Sequence, residues 1–122
     1  MNDRLNSPGK TTIAPEVLET IARLTALSVP GVNRLVPVPS GVDRLFKRAA
    51  NEGVQLNVEN NTVYVDLYVI LNRDVNVRDV SHAIQTKVAR AISEMVGMEI
   101  GKVNIHIEDI AYNNPESIQP NA

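Results

Sequence analysis

The chain has no cysteine and no tryptophan, two histidines, and four aromatics in all: Phe46, Tyr64, Tyr68 and Tyr112. Lack of cysteine excludes disulfides and thiol catalysis and removes most of the ligand sets that zinc uses. His82 and His106 stand far apart, and neither sits in a metal-ligand spacing. No glycine-rich loop cradles a phosphate; Pro30-Gly31 and Ser40-Gly41 read as turns. No apolar run approaches the roughly 20 residues needed to span a bilayer. No charged-then-apolar leader opens the chain, so a signal peptide is not expected. The net charge of −2 argues against a general nucleic-acid binder. The GxxG loop and basic groove of a KH-type reader are also missing. These absences leave no expected cofactor, no expected metal and no catalytic residue to name. What remains is a domain with surfaces to offer.

What is present suits one folded unit. The 122 residues are 43% hydrophobic, mostly Val, Ile, Leu and Ala, which is enough for one core. Residues 1–9 and 113–122 are polar and turn-rich and lack apolar periodicity, so they read as disordered tails around a single domain over 10–112. Charge is uneven: residues 1–48 sum to +3 and residues 49–122 to −5.

The periodicities give the elements in order. A helix is expected from Pro15, where proline loses no helical hydrogen bond. Its stripe is Val17, Leu18, Ile21, Leu24 and Ser28, with Ala22 and Thr25 beside it, and Pro30-Gly31 closes it. A short strand follows over roughly Val32 to Val36. Ser40 with Asp43 reads as a capping box. It opens a short amphipathic helix with apolar Val42, Leu45, Phe46 and Ala49 and basic Arg44, Lys47 and Arg48. Val54, Leu56 and Val58 alternate with polar residues, as do Val63, Val65, Leu67, Val69 and Leu71. Asn60-Asn61 between the two runs predicts a tight antiparallel hairpin. Asn76 then caps a long helix, with Asp79 at its third position and Val75 and Val80 as a staple. The stripe Val77, Val80, Ile84, Val88, Ala91, Ile92 and Met95 runs to Gly97, a C-terminal glycine. Val103, Ile105 and Ile107 make the last strand.

One apolar face per strand and one stripe per long helix must cover each other. The expected fold class is therefore α+β: a two-layer sandwich, a mixed four-stranded sheet with two main helices on one face plus the short amphipathic helix. The strand–helix–strand unit from Val63 to Ile107 requires a crossover between parallel strands.

Two surfaces stand out. Tyr64, Asp66, Tyr68, His106 and Glu108 point away from the expected core. That face is either an ordinary solvated sheet face or a face for a protein partner, since Tyr is favoured in interfaces. His106 beside carboxylates also has the elements of an acid–base or metal group, but one imidazole and scattered acids make no ligand pattern. The second surface is the basic helix, Arg44, Phe46, Lys47 and Arg48, which fits a docked connector or a contact with anionic lipid or an acidic partner.

Three stretches carry a resemblance: TTIAPEVLETIARLTALSVPGV from Thr11 to Val32, VYVDLYVIL from Val63 to Leu71, and VSHAIQTKVARAISEMVGMEIGKVNIHIEDI from Val80 to Ile110, with Gln85 and Gly97 in their expected places. In order and spacing they resemble the alkaline shock protein family of bacteria over about Lys10 to Ile110. Ala14 departs from the family's polar cap, and Asn72-Arg73 stands where a glycine is common. The resemblance implies a non-enzymatic, cytoplasmic protein of the envelope stress response that self-associates into a homo-oligomer. It also implies a protein partner, in some members a membrane-spanning one that holds the protein at the membrane periphery. No catalytic residue comes with it. Two readings follow: an interaction or scaffold protein, or a regulator that binds a small metabolite or an enzyme of lipid synthesis. The second requires an apolar pocket between helices and sheet.

Overall fold

The computed structural model describes residues 8–39 and 53–112. In chain order the elements are α1 (Pro15–Leu27), β1 (Val32–Leu35), β2 (Val54–Glu59), β3 (Thr62–Asn72), α2 (Val77–Val96) and β4 (Glu99–Ala111). The expected short amphipathic helix, with Arg44, Phe46, Lys47 and Arg48, lies outside the described residues.

β3 is the spine of the sheet. β2 pairs with it antiparallel from Val54 opposite Leu67 to Glu59 opposite Thr62. The hairpin between them turns at Asn60 and Asn61, both at positive φ (52° and 64°), the pair of left-handed residues that matches the twist of a two-residue turn. β1 pairs antiparallel with the far end of the same strand, Val32 opposite Leu71 and Leu35 opposite Val69. β4 pairs parallel along the whole of β3, from Thr62–Glu99 to Asn72–Ala111. The sheet is thus mixed, as the α2 crossover requires.

β1 and β2 share one edge of β3, end to end. Between them Tyr68 accepts from the Val36 N–H (2.9 Å) and donates its own N–H to the Gly53 carbonyl (3.0 Å). The chain leaves the ladder at Val36 and rejoins the same row at Gly53. The junction is tight: a Cβ on Gly53 would lie 2.6 Å from the Val36 carbonyl oxygen, and φ there is +81°. Both facts favour glycine.

Alternation along β3 assigns its faces. Val63, Val65, Leu67, Val69 and Leu71 are all fully buried under the two helices. From α2 come Val80, Ile84, Val88 and Ile92, spaced by four so that they stack on one line. From α1 come Leu18, Ala22 and Ala26, followed by Val29. This corrects the expected stripe of α1. Val17 and Leu24 are 45% and 55% exposed, and Ser28 is the exposed C-cap, whereas the small Ala22 and Ala26 face inward and let the helix sit close. Val77 and Met95, at the two ends of α2, are likewise exposed, because the line through Ile84 passes them by.

The ends of α2 are built as expected. Asn76 Oδ1 accepts from the Asp79 N–H at 2.9 Å, and Gly97 adopts the left-handed conformation. Such a cap contributes about 1 kcal/mol. Val75 and Val80 both close on Gly31. α1 starts at Ala14 without a side-chain cap, so Pro15 and the acidic Glu16 carry that terminus.

Ile84 lies at the centre of this layer and is fully buried. Ile84→Ala is expected to cost roughly 2–5 kcal/mol through the cavity it leaves, and Ile84→Asp to abolish the cooperative thermal transition, as followed by circular dichroism. A normal melt for the aspartate variant refutes this facing of α2.

Candidate interaction face

The other face of the sheet carries Tyr64, Asp66, Tyr68 and Ile70 from β3. Next to them in β4 are Lys102 opposite Tyr64, Asn104 opposite Asp66 and His106 opposite Tyr68. The sequence-predicted residues of this face therefore come together. The basic-helix residues Arg44, Phe46, Lys47 and Arg48 fall outside the described residues.

Asp66 is the hub. Its Oδ1 receives His106 Nε2 at 2.8 Å and the Asn104 amide at 3.2 Å. A carboxylate only accepts, so the His106 proton sits on Nε2. The imidazole then lies flat on the Tyr68 ring, with centroids 4.3 Å apart and planes 9° from parallel. The carboxylate fixes the ring's rotation and the phenol fixes its tilt. The side chains of His106 and Asp66 are 40% and 31% exposed, so solvent weakens the pair; a contact of this kind contributes about 0.2–1 kcal/mol.

Tyr68 departs from the expected solvated position. It is 7% exposed, and Ile70 beside it is equally buried. Burial raises the Tyr68 phenol above its ordinary pKa of 10.0, helped by the negative charge of Asp66 and then Glu108. Alternation carries Glu108 to this face, and a bulge leaves it without a ladder partner. Ile107 pairs with Val69 and Asp109 with Ile70, so Glu108 is the extra residue.

A second bulge shapes the other end of the face. Ile100 pairs with Val63 and Lys102 with Tyr64, leaving Gly101 unpaired between them. The Tyr64 ring lies over Gly101 so closely that a Cβ there would sit 2.3 Å from a ring carbon. Reading the sequence by alternation misses Gly101; a lone glycine within a strand pattern is the available signal. His82 lies exposed on α2 and takes no part in the face. Among the described residues no three His, Asp or Glu side chains gather as a metal site requires. Among them, too, no helix is long and apolar enough to cross a membrane.

Two outcomes test the face. Gly101→Ala is expected to expel the Tyr64 ring, seen as a change in tyrosine fluorescence or ring NMR shifts with the fold retained. The second concerns the raised Tyr68 pKa. Above about pH 10 the unfolded chain releases the phenol proton before the folded one does, so Tyr68 contributes stability below that pH and loses it as pH rises through the folded pKa. Denaturation midpoints measured from pH 9 to 12 are expected to fall less steeply for Tyr68→Phe than for the unsubstituted protein.

Similar sequences are found in Streptococcus and Bacillus. The chain is 37% identical over 103 residues to the uncharacterized protein Spy1535 of Streptococcus pyogenes, covering 84% of this chain and 79% of that one. It is 29% identical over 107 residues to the uncharacterized protein YqhY of Bacillus subtilis, covering 86% and 79%. It is 24% identical over 111 residues to the uncharacterized protein YloU of the same organism, covering 88% and 92%. A solved structure of MamM-CTD overlays on 79% of this chain and 99% of its own, with a TM-score of 0.49 and 14% identity, too slight a likeness to argue from. The model of the alkaline shock protein family, described by a cell envelope-related function, matches residues 4–112. The chain belongs to the alkaline shock protein family.

Proposed function

We propose that the protein is a non-enzymatic interaction or scaffold protein of the bacterial cell envelope stress response, working through protein contacts and self-association. In this reading it acts on the cytoplasmic side and reaches the membrane through a membrane-spanning protein partner. The observation that carries the reading is the outer sheet face. Asp66, Asn104, His106 and Tyr68 are held to one another by hydrogen bonds and ring stacking on the side of the sheet opposite α1 and α2. Side chains ordered before binding lose less entropy when a partner docks. Tyr64 at one end and Glu108 at the other complete an aromatic and polar patch of the composition that interfaces favour. The family's cell envelope-related description fits such a role.

The rival regulator reading requires an apolar pocket between the helices and the sheet. Among the described residues, Leu67, Leu71, Ile84 and Ile92, each fully buried, lie between the helices and the sheet.

The test is a crosslinked pull-down from cells, run separately on membrane and soluble fractions, with the unsubstituted protein and a Tyr64→Ala, Asp66→Lys variant. The expected outcome is capture of a membrane-spanning protein from the membrane fraction, lost in the variant while its melting temperature stays close to the original. Undiminished capture by the variant overturns the outer face as the contact.

A further inference from the structure

The outer edge of β4 is a long strand edge whose backbone directions can be read from the ladder. Tyr68 gives both its backbone groups to the β1–β2 side. Its neighbours in β3, Leu67 and Val69, as well as Val65, therefore turn theirs toward β4. In a parallel ladder the residues directly opposite them, Val103, Ile105 and Ile107, turn N–H and C=O the other way, to the open edge. The Val103 carbonyl confirms the direction, because the Gln85 amide of α2 reaches it at 3.1 Å. A carbonyl has two lone pairs, so that contact leaves room for a second donor. Among the described residues β3 is the only strand paired with β4. The groove beside this edge, lined by Gln85, Thr86, Ala89, Lys102 and Val103, is open to solvent. Among the described residues the opposite edge is divided between the four-residue β1 and the six-residue β2, whereas β4 runs for 13 residues.

Bulges at Gly101 and Glu108 limit the regular stretch of β4 to Lys102 through Ile107. Within it, a second copy can pair antiparallel only in registers where a residue faces itself across the two-fold axis. If that residue is Ile105, Val103 faces Ile107 of the other copy and all the outward backbone groups pair. Lys102 then comes opposite Glu108, the bulge residue just past the regular stretch, and Glu108 opposite Lys102, two opposite-charge pairs at the ends of the seam. Centring on Asn104 instead sets Lys102 against His106 and brings no carboxylate opposite Lys102.

We propose that two copies of this chain join through β4, antiparallel, about a two-fold axis at Ile105. The proposal rests on the reading that the protein self-associates, and names the surface and register. The two sheets become one, and the two outer faces become continuous, with His106 of each copy beside Asn104 of the other.

Sedimentation of the full chain over a range of concentrations tests this with Lys102→Glu, Glu108→Lys and the double variant. Each single change puts like charges opposite one another twice, and is expected to weaken the dimer roughly tenfold or more. The double change reverses both pairs and is expected to restore it. Within one copy the two positions lie roughly 20 Å apart along the strand, at about 3.3 Å per residue, so they cannot rescue each other there. Ile105→Cys, in a chain with no other cysteine, is expected to give a covalent dimer on mild oxidation. A monomer at every concentration, singles without effect, a double variant no better than the singles, or a dimer that Ile105→Cys fails to crosslink each overturns the proposal. Partner capture that persists in the charge variants together with any of these results overturns the β4 dimer and leaves the outer-face reading standing.

Discussion

Burial of one side of β3 is the constraint on which the rest of the molecule depends. Val63, Val65, Leu67, Val69 and Leu71 are removed from water completely, and each such side chain contributes about 1.5–3 kcal/mol relative to exposure. A strand can bury that side only if both its edges are also occupied, since unpaired backbone groups in a dry layer are costly. The hairpin supplies β2 and the preceding segment supplies β1 on one edge, and the α2 crossover brings β4 to the other. α1 and α2 then complete the dry layer. Each other element is placed by its relation to this strand.

The same constraint produces the outer face. Period-two alternation sends Tyr64, Asp66, Tyr68 and Ile70 to the side opposite the helices, with no freedom to rearrange unless the register slips. The parallel pairing with β4 sets His106 beside Tyr68 and Asn104 beside Asp66. A hydrogen-bonded acid, an oriented imidazole and a stacked phenol follow from that register. The proposed contact face therefore sits on the most deeply buried strand of the fold and not on a loop. A surface fixed in this way can be specific through shape and charge alone.

Several of these features are legible in the residues. The Asn60-Asn61 turn, the Asn76 cap, the Gly97 stop and the i, i+4 line through Ile84 each follow from local chemistry that the chain cannot easily evade, and each stands where the pattern places it. The alternating strands likewise show which of Tyr64, Asp66, Tyr68, His106 and Glu108 share a face. The stripe of α1 differs from its pattern because Val17 and Leu24 are more apolar than the alanines that replace them in the core. Hydrophobicity alone ranks large side chains first. Packing against a second helix and a sheet selects the small ones.

What the sequence alone determined, then, is the set of elements, their capped ends and the side of each strand that turns inward, because these are governed by neighbours within a few residues. The tertiary structure decided what depends on residues far apart in the chain. It put β1 and β2 end to end on one edge, with Gly53 against the Val36 carbonyl. It placed the bulges at Gly101 and Glu108, and joined Asp66 to His106 across 40 residues. Alternation fixes a side chain's face but carries no information on register, and register is set by the packing of whole strands.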